Sequence, residues 1–512
     1  MKKPILIIIP IIALSIAITY FFTRCSKTEN TLSVLFESGK FQNGPDKELL
    51  SNYLIASSGY VNKDVTASSD VNIYVDKSSG INEAFSSSVG GELAKAELNS
   101  ILGFYENAKY LGVLNDIKEF NLGGASPSNY FSNGSNYDPK AMAKLKLALT
   151  TITKSNNLSF FISDCEEFDN AAMEIKNDPW AKEPLIDWLN KGNSIYFWIT
   201  DFNVKGSTKH LFFMAFAPAD VVSKDSKFKD LVKELNSKNP NHFELSNKNW
   251  SIQHPKWTEQ STGLDSNLLG DDVFIKENYI RNFENQPTSF EYLDIAYPIK
   301  SEVLKGEGVL KGPDFYRGIH VDFSNNHFFD INKVDIDVNE VSNDINNYAT
   351  FFQLNQNKPE FIVNSDGAKV LNTENPFSEY YDNKGQIKSE HIYNNKANER
   401  NLKELFSFNQ DLFNNTIKSH PENVELGFKL HPNFNDSDPK LNNQKSYNLI
   451  RVDFKVSGFN DKLPNLNMFK WNSIFSKNSE NTGFYDSIKY AILATQPKDK
   501  IIHSIFIKFI RE

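Results

Sequence analysis

Apolar and polar positions change their period along the chain, and the changes divide it into three stretches. Residues 4–22 form a run of 19 residues without a charge, behind Met1-Lys-Lys and ahead of Arg24 and Lys27. From about residue 31 to 240, short strand patterns trade places with helical ones. Val71, Ile73 and Val75 alternate with Asn72 and Tyr74, which predicts a strand over 71–75. Leu93, Leu98, Ile101, Leu102 and Tyr105 fall at helical spacing, as do Met142, Leu145, Leu149 and Ile152. Pro139 suits the first turn of that second helix, with Asp138 as its N-cap. Runs at 158–162, 194–200 and 211–216 predict further strands, and Lys191-Gly192 ends a helix over 181–189. Strands alternating with helices predict an α/β unit with a mostly parallel, doubly wound sheet.

Beyond residue 240 the helical period fades. Aromatic and β-branched runs separated by Asn, Asp, Gly and Pro take over, as at 290–299, 316–323, 424–430 and 446–456. They predict antiparallel sheets, one or two β-sandwich modules over 241–512, interrupted by helices over 401–418 and 484–495.

The first stretch sets the compartment. Nineteen apolar or small residues reach about 30 Å as a helix, the thickness of a bilayer core. Residues 1–30 therefore read as an uncleaved membrane anchor, with Lys2 and Lys3 inside and the bulk of the chain extracytoplasmic, periplasmic or on the cell surface. The alternative is a lipoprotein signal, with Cys25 as the lipidated mature terminus; Arg24 stands where a small residue is expected before that cysteine. With Cys165 the only other cysteine, neither a disulfide framework nor a zinc site is expected. A formal net charge of −9 without a basic run argues against nucleic acid as a partner.

Candidate chemistry gathers at strand ends. Asp76 closes the 71–75 strand, Ser78 and Ser79 follow, and Gly80 permits a sharp turn. In an open α/β sheet ligands collect at the carboxyl ends of strands. A carboxylate with hydroxyls there can offer oxygen ligands to Mg2+; the plainer role for Asp76 and Ser78 is an Asx-type turn. Asp164, Glu166 and Glu167 follow the 158–162 strand as a metal- or partner-binding cluster, or as a solvated turn. His320 and His327 are a weaker metal pair without a third ligand, and Trp250, Trp257 and Trp471 suit a core better than a sugar platform.

In this order of elements the chain resembles a von Willebrand factor A-like domain. That family carries Asp-x-Ser-x-Ser at the end of its first strand, a Thr on a later loop and an Asp at the end of a further strand, which together hold a divalent metal. Asp76 and Ser78 match the first two positions and Gly80 replaces the third; Ser159-Phe-Phe-Ile-Ser-Asp164 resembles the later strand. Ala143 falls in the Thr slot, with Asp138 nearby as a substitute oxygen ligand. The resemblance implies a degenerate metal site of Asp76, Ser78 and Asp164, with Mg2+ as its cation and a partner's carboxylate completing the shell. Taken with the N-terminal anchor segment, it points to a membrane-anchored protein that binds another envelope or extracellular protein. No nucleotide-binding glycine loop, Walker loop, His-Glu-x-x-His or Gly-x-Ser-x-Gly occurs. A structural envelope lipoprotein and an envelope hydrolase with an unrecognised site are the other readings.

Overall fold

The structure is a computed structural model that describes residues 47–58, 68–120, 122, 124–137, 140–169, 174–204, 206–253, 273–283, 286–297, 316–324, 328–356, 360–372, 378–394, 400–434, 448–472 and 480–511. The anchor or signal segment with Cys25 lies outside these residues, as do Asp138, Trp257 and His327. Among the described residues no helix is long and apolar enough to cross a membrane.

After helix α1 (Lys47–Ser58), the α/β layer runs as β1 (Ser68–Asp76), α2 (Ser79–Ser86), α3 (Gly91–Phe104), β2 (Lys109–Val113), β3 (Ile117–Glu119), α4 (Pro127–Phe131), α5 (Leu145–Lys154), β4 (Asn157–Ser163), α6 (Lys182–Asn190), β5 (Ser194–Val204), β6 (Ser207–Ala217), α7 (Ser226–Lys238) and β7 (His242–Leu245). Among the described residues seven strands form one sheet, in the order β3-β2-β1-β4-β6-β5-β7. β1 is parallel to β2 and to β4. Every other pairing in the sheet is antiparallel. The sheet is thus mixed, not mostly parallel as the alternation predicts. A parallel crossover needs a dozen or more residues, and only Lys205 and Gly206 separate β5 from β6. Gly206, at φ +82°, supplies the turn.

β1 and β4 lie in the middle of this sheet and are apolar on both faces, as central strands covered by helices must be. Ile73, Val75, Phe160 and Ile162 pack with α2, α3 and α7 on one face. Tyr74 and Phe161 pack with α5 and α6 on the other.

The C-terminal part contributes β8 (Ser251–Gln253), β9 (Val273–Phe283), β10 (Gln286–Tyr297), β11 (Tyr316–Asp322), β12 (Phe329–Glu340), α8 (Ser342–Gln356), β13 (Arg400–Asn401), β14 (Phe406–Phe408), α9 (Gln410–Ser419), β15 (Val424–Leu430), β16 (Asn448–Asp461), α10 (Gly483–Ala494) and β17 (Ile501–Arg511). Among the described residues these strands give a four-stranded sheet, β8-β11-β15-β14, and a six-stranded one, β9-β10-β17-β16-β12-β13. All their pairings are antiparallel except β10 with β17. Ile319, Val321, Leu426 and Phe428 of the first sheet share a core with Ile336, Val338, Val452 and Phe454 of the second.

Two elements cross between these parts. α1, which precedes the α/β layer in sequence, packs Leu50, Tyr53 and Leu54 against α8 and the six-stranded sheet. Its Tyr53 hydroxyl donates to Asp344 at 2.7 Å. Conversely, Phe469, Trp471 and the α10 residues Phe484, Ile488 and Ile492 join Phe197, Phe212 and Trp188 over the second face of the α/β sheet. Residues 466–472 and 480–494 therefore complete the third layer of a unit that begins about four hundred residues earlier.

Candidate functional site at the carboxyl ends of β1 and β4

The chain leaves the carboxyl end of β1 toward β2 on one side, and leaves that of its neighbour β4 toward β5 and β6 on the other. This is a topological switch point, where a crevice opens in α/β sheets. Asp76 and Asp164 stand on either side of it, at the ends of adjacent parallel strands.

The crevice is packed. Asp76 is 1% exposed, Asp164 4%, Glu166 5% and Lys209 2%. Asp76 Oδ1 accepts the Ser78 backbone N–H at 2.7 Å, an Asx turn, and Oδ2 accepts the Ser163 hydroxyl at 2.8 Å. Burial pushes the Asp76 carboxyl up to about 6, against the lowering effect of those Ser78 and Ser163 contacts. Ser78 Oγ is buried beside this carboxylate without a hydrogen-bond partner of normal geometry. Asp164 Oδ1 accepts the Glu166 N–H at 3.2 Å. Burial, with Glu166 and Asp76 close by, holds Asp164 well above the usual carboxylate range.

Gly80 fits this arrangement for a steric reason. A Cβ on Gly80 would lie 1.8 Å from Asp164 Oδ2 and 2.7 Å from its Cγ. The Asp164 carboxylate occupies the space that a serine at the third motif position would need. The loop carrying Ala143 also reaches the site, since Ala141 accepts the Ser79 N–H at 3.3 Å. Ala143 itself turns into the apolar core of the second face.

Lys209, near the start of β6, is the cation of the crevice. Its ammonium lies 3.1 Å from Glu166 Oε2 and 3.9 Å from Glu83 Oε2. Burial alone would lower its pKa, but the carboxylates of Glu166 and Asp164 more than offset this and hold it raised. The other oxygen of Glu166 accepts the Trp471 indole N–H at 3.0 Å. One carboxylate thus joins β6 to the C-terminal segment.

The acidic run splits by role. Glu167 leaves the crevice and caps α5, accepting the amides of Leu145 at 2.6 Å and Lys146 at 3.2 Å. A carboxylate at those amides meets the positive end of the helix. Cys165 takes φ 56°, left-handed backbone that turns the chain at the strand end. Its buried thiol is pushed well up by desolvation and by Asp164 and Asp76, which leaves it unreactive. Lys77 points away from the crevice into a cage of Phe120, Tyr130 and Tyr137, with ring centroids at 4.9, 5.3 and 4.4 Å. Burial lowers it to about 8.

Tested as a seat for a divalent cation, the site fits poorly. Both Asp76 oxygens already accept protein hydrogen bonds, and an ammonium sits among the remaining carboxylates. Among the described residues no group of three or more His, Cys, Asp or Glu side chains is arranged to hold a metal ion. His320 lies on β11 of the four-stranded C-terminal sheet, opposite Gln253 of β8, and Trp250 packs on Phe323 in the C-terminal core.

Sequence reasoning brought Asp76, Ser78 and Asp164 to one place. It missed Lys209, Trp471 and the part Glu166 plays between them. Lys209 follows Ser207-Thr208 at the polar start of an apolar run, a pattern that reads as an exposed strand end. Trp471 lies 305 positions from Glu166 and carries no local signal. No family model, curated protein or solved structure matches the chain.

Proposed function

We propose that the chain is a membrane-anchored, extracytoplasmic binding protein. Its α/β layer, read as a degenerate von Willebrand factor A-like domain, engages another envelope or extracellular protein through the rim at the carboxyl ends of β1 and β4. The observation that carries this reading is the pairing of Asp76 and Asp164 on parallel neighbours at the switch point of one sheet. The flanking order β3-β2-β1-β4, with an antiparallel edge strand, supports it further. The C-terminal sheets, read as a β-sandwich, would present that layer away from the membrane.

The packing of the crevice favours binding over catalysis. Asp76, Asp164, Glu166 and Lys209 are spent on neighbouring groups and are 1–5% exposed, so they are not presented to a substrate as an enzyme's pocket would need. The rim is built from the Asn133–Asn136 turn, the β5–β6 hairpin and the 86–89 loop. Ser87 ties that loop to Asn203 at 3.3 Å, and Val89 stands 48% exposed on it. In this reading Asp76, Ser78 and Asp164 shape the rim from beneath, and Mg2+ bridging to a partner's carboxylate is the variant in which they act directly. A shallow face of this kind binds through its loops, with the sheet as a rigid base.

The test is site-specific photo-crosslinking in intact cells. Probes at Val89 and Ser135 on the rim should capture the same discrete partner, and a probe at the exposed Val363 should not. Capture only from Val363, or no discrete product from either rim position, would refute the assignment of the face.

A further inference from the structure

The crevice holds a fixed positive charge of its own. The family resemblance puts a divalent cation among the side chains at the ends of the first and fourth strands, and in this chain an ammonium reaches that place from β6. Three features converge on it. Lys209 pairs with Glu166 at 3.1 Å, with Glu83 as a longer contact at 3.9 Å, and is buried with Asp164 beside it. Asp164 lies over Gly80, so the ligand that the third motif position would supply is displaced by a carboxylate belonging to the cluster. Trp471 closes the far side of Glu166 by donating to its second oxygen.

We propose that Lys209 stands in for the divalent cation, so that the strand-end carboxylates form a self-contained ion cluster and the rim works without metal. The chemistry of the substitution is direct. An ammonium offers three donors to carboxylate oxygens and one positive charge, whereas Mg2+ demands near-octahedral oxygen ligands at about 2.1 Å and keeps several waters. A crevice this closed suits the former. A lysine on a strand is also covalently retained, so the rim keeps its shape whatever the divalent-ion level outside the cell. The cost of burying the charge is met by the pairing with Glu166 and by the hydrogen bonds that the cluster's other oxygens accept. Ser78 Oγ, buried and without a partner of normal geometry, is what remains of the oxygen shell.

This deepens the proposed reading of the rim, and its test is separate from the crosslinks that locate a partner. The full chain in detergent is titrated with Mn2+ and the free-ion EPR signal is followed. The wild-type protein should leave the signal undiminished at millimolar Mn2+, and Lys209→Met should remove one equivalent, an uptake abolished by adding Asp164→Asn. Stoichiometric Mn2+ uptake by the wild-type chain that Asp76→Asn abolishes would overturn the proposal. So would a folded Lys209→Met chain that takes up none. Should Lys209→Met fail to fold, Lys209→Met combined with Asp164→Asn and Glu166→Gln removes the charges that the lysine balances. Recovery of folding in that variant supports the proposal, and continued failure overturns it. Crosslinks at Val89 and Ser135 would persist in either case if the rim alone carries the partner.

Discussion

Gly80→Ala tests the geometry of the crevice through a change that would otherwise be harmless. Gly80 lies in the first turn of α2 and does not need left-handed backbone. In an ordinary helix the substitution would gain up to about 1 kcal/mol. Here the new methyl meets Asp164 Oδ2 at 1.8 Å, where ordinary contact begins at 3.4 Å. Asp164 is short and 4% exposed, and its Oδ1 is engaged by the Glu166 N–H. It can retreat only by giving up that bond and pressing on its neighbours. Overpacking costs about 1–3 kcal/mol, and a buried polar group left unpaired costs about 1–3 kcal/mol more. Less the helical gain, the net loss should be about 1–5 kcal/mol. Hydrogen exchange of the β1 and β4 amides reads it locally, which suits a chain of several cooperative parts. Gly80→Ser, which restores the motif's third serine, should lose as much. In an Asp164→Ala background Gly80→Ala should become neutral or mildly stabilising, a coupling as large as the wild-type loss or up to about 1 kcal/mol larger. Equal exchange in wild-type and Gly80→Ala protein, or an unchanged loss in the Asp164→Ala background, would refute the placement of that carboxylate.

Two further outcomes follow from buried carboxylates. Glu97 on α3 is fully buried, accepts from Thr200 Oγ1 at 2.5 Å and Asn239 Nδ2 at 2.6 Å, and has Lys238 as its nearby charge. Burial raises it from 4.5 to about 7. A raised folded pKa means that its contribution is complete below the unfolded value and is lost as pH rises through the folded one. Between about pH 4.5 and about pH 8 the wild-type layer should lose about 3 kcal/mol that Glu97→Gln does not, read from denaturant midpoints across that range. Trp471→Phe leaves Glu166 Oε1 without its indole donor. The cost of about 1–3 kcal/mol should speed amide exchange in the 466–472 segment by about five- to 150-fold, with α1, which packs in a separate cluster, unaffected.

What could be read from the sequence depended on how local its cause was. β1 was legible from the alternation of Val71, Ile73 and Val75 with Asn72 and Tyr74, β4 from the run at 158–162, and an acidic residue marks the end of each. The expectation that Asp76 and Asp164 share one rim comes from the resemblance to a von Willebrand factor A-like domain, not from the βα alternation. The direction of β6 rests on the two residues between it and β5, which outweigh the alternation that suggested a parallel sheet. The start of α5 was misjudged in a similar way. Pro139 and Asp138 resemble a helix opening, yet the helix begins at Leu145. Its free amides there are capped by Glu167, a side chain 22 positions away. Lys209 and Trp471 illustrate the limit. A buried lysine has the same sequence signature as a solvated one, and only the fold decides which carboxylates surround it.

The most direct test is crystallographic. Crystals of the wild-type chain soaked in Mn2+ and measured at the manganese edge should show no anomalous peak at the ends of β1 and β4, with the Lys209 ammonium resolved beside Glu166 and Asp164. An anomalous peak bonded to Asp76 and Asp164, with Lys209 turned out of the crevice, would contradict the account.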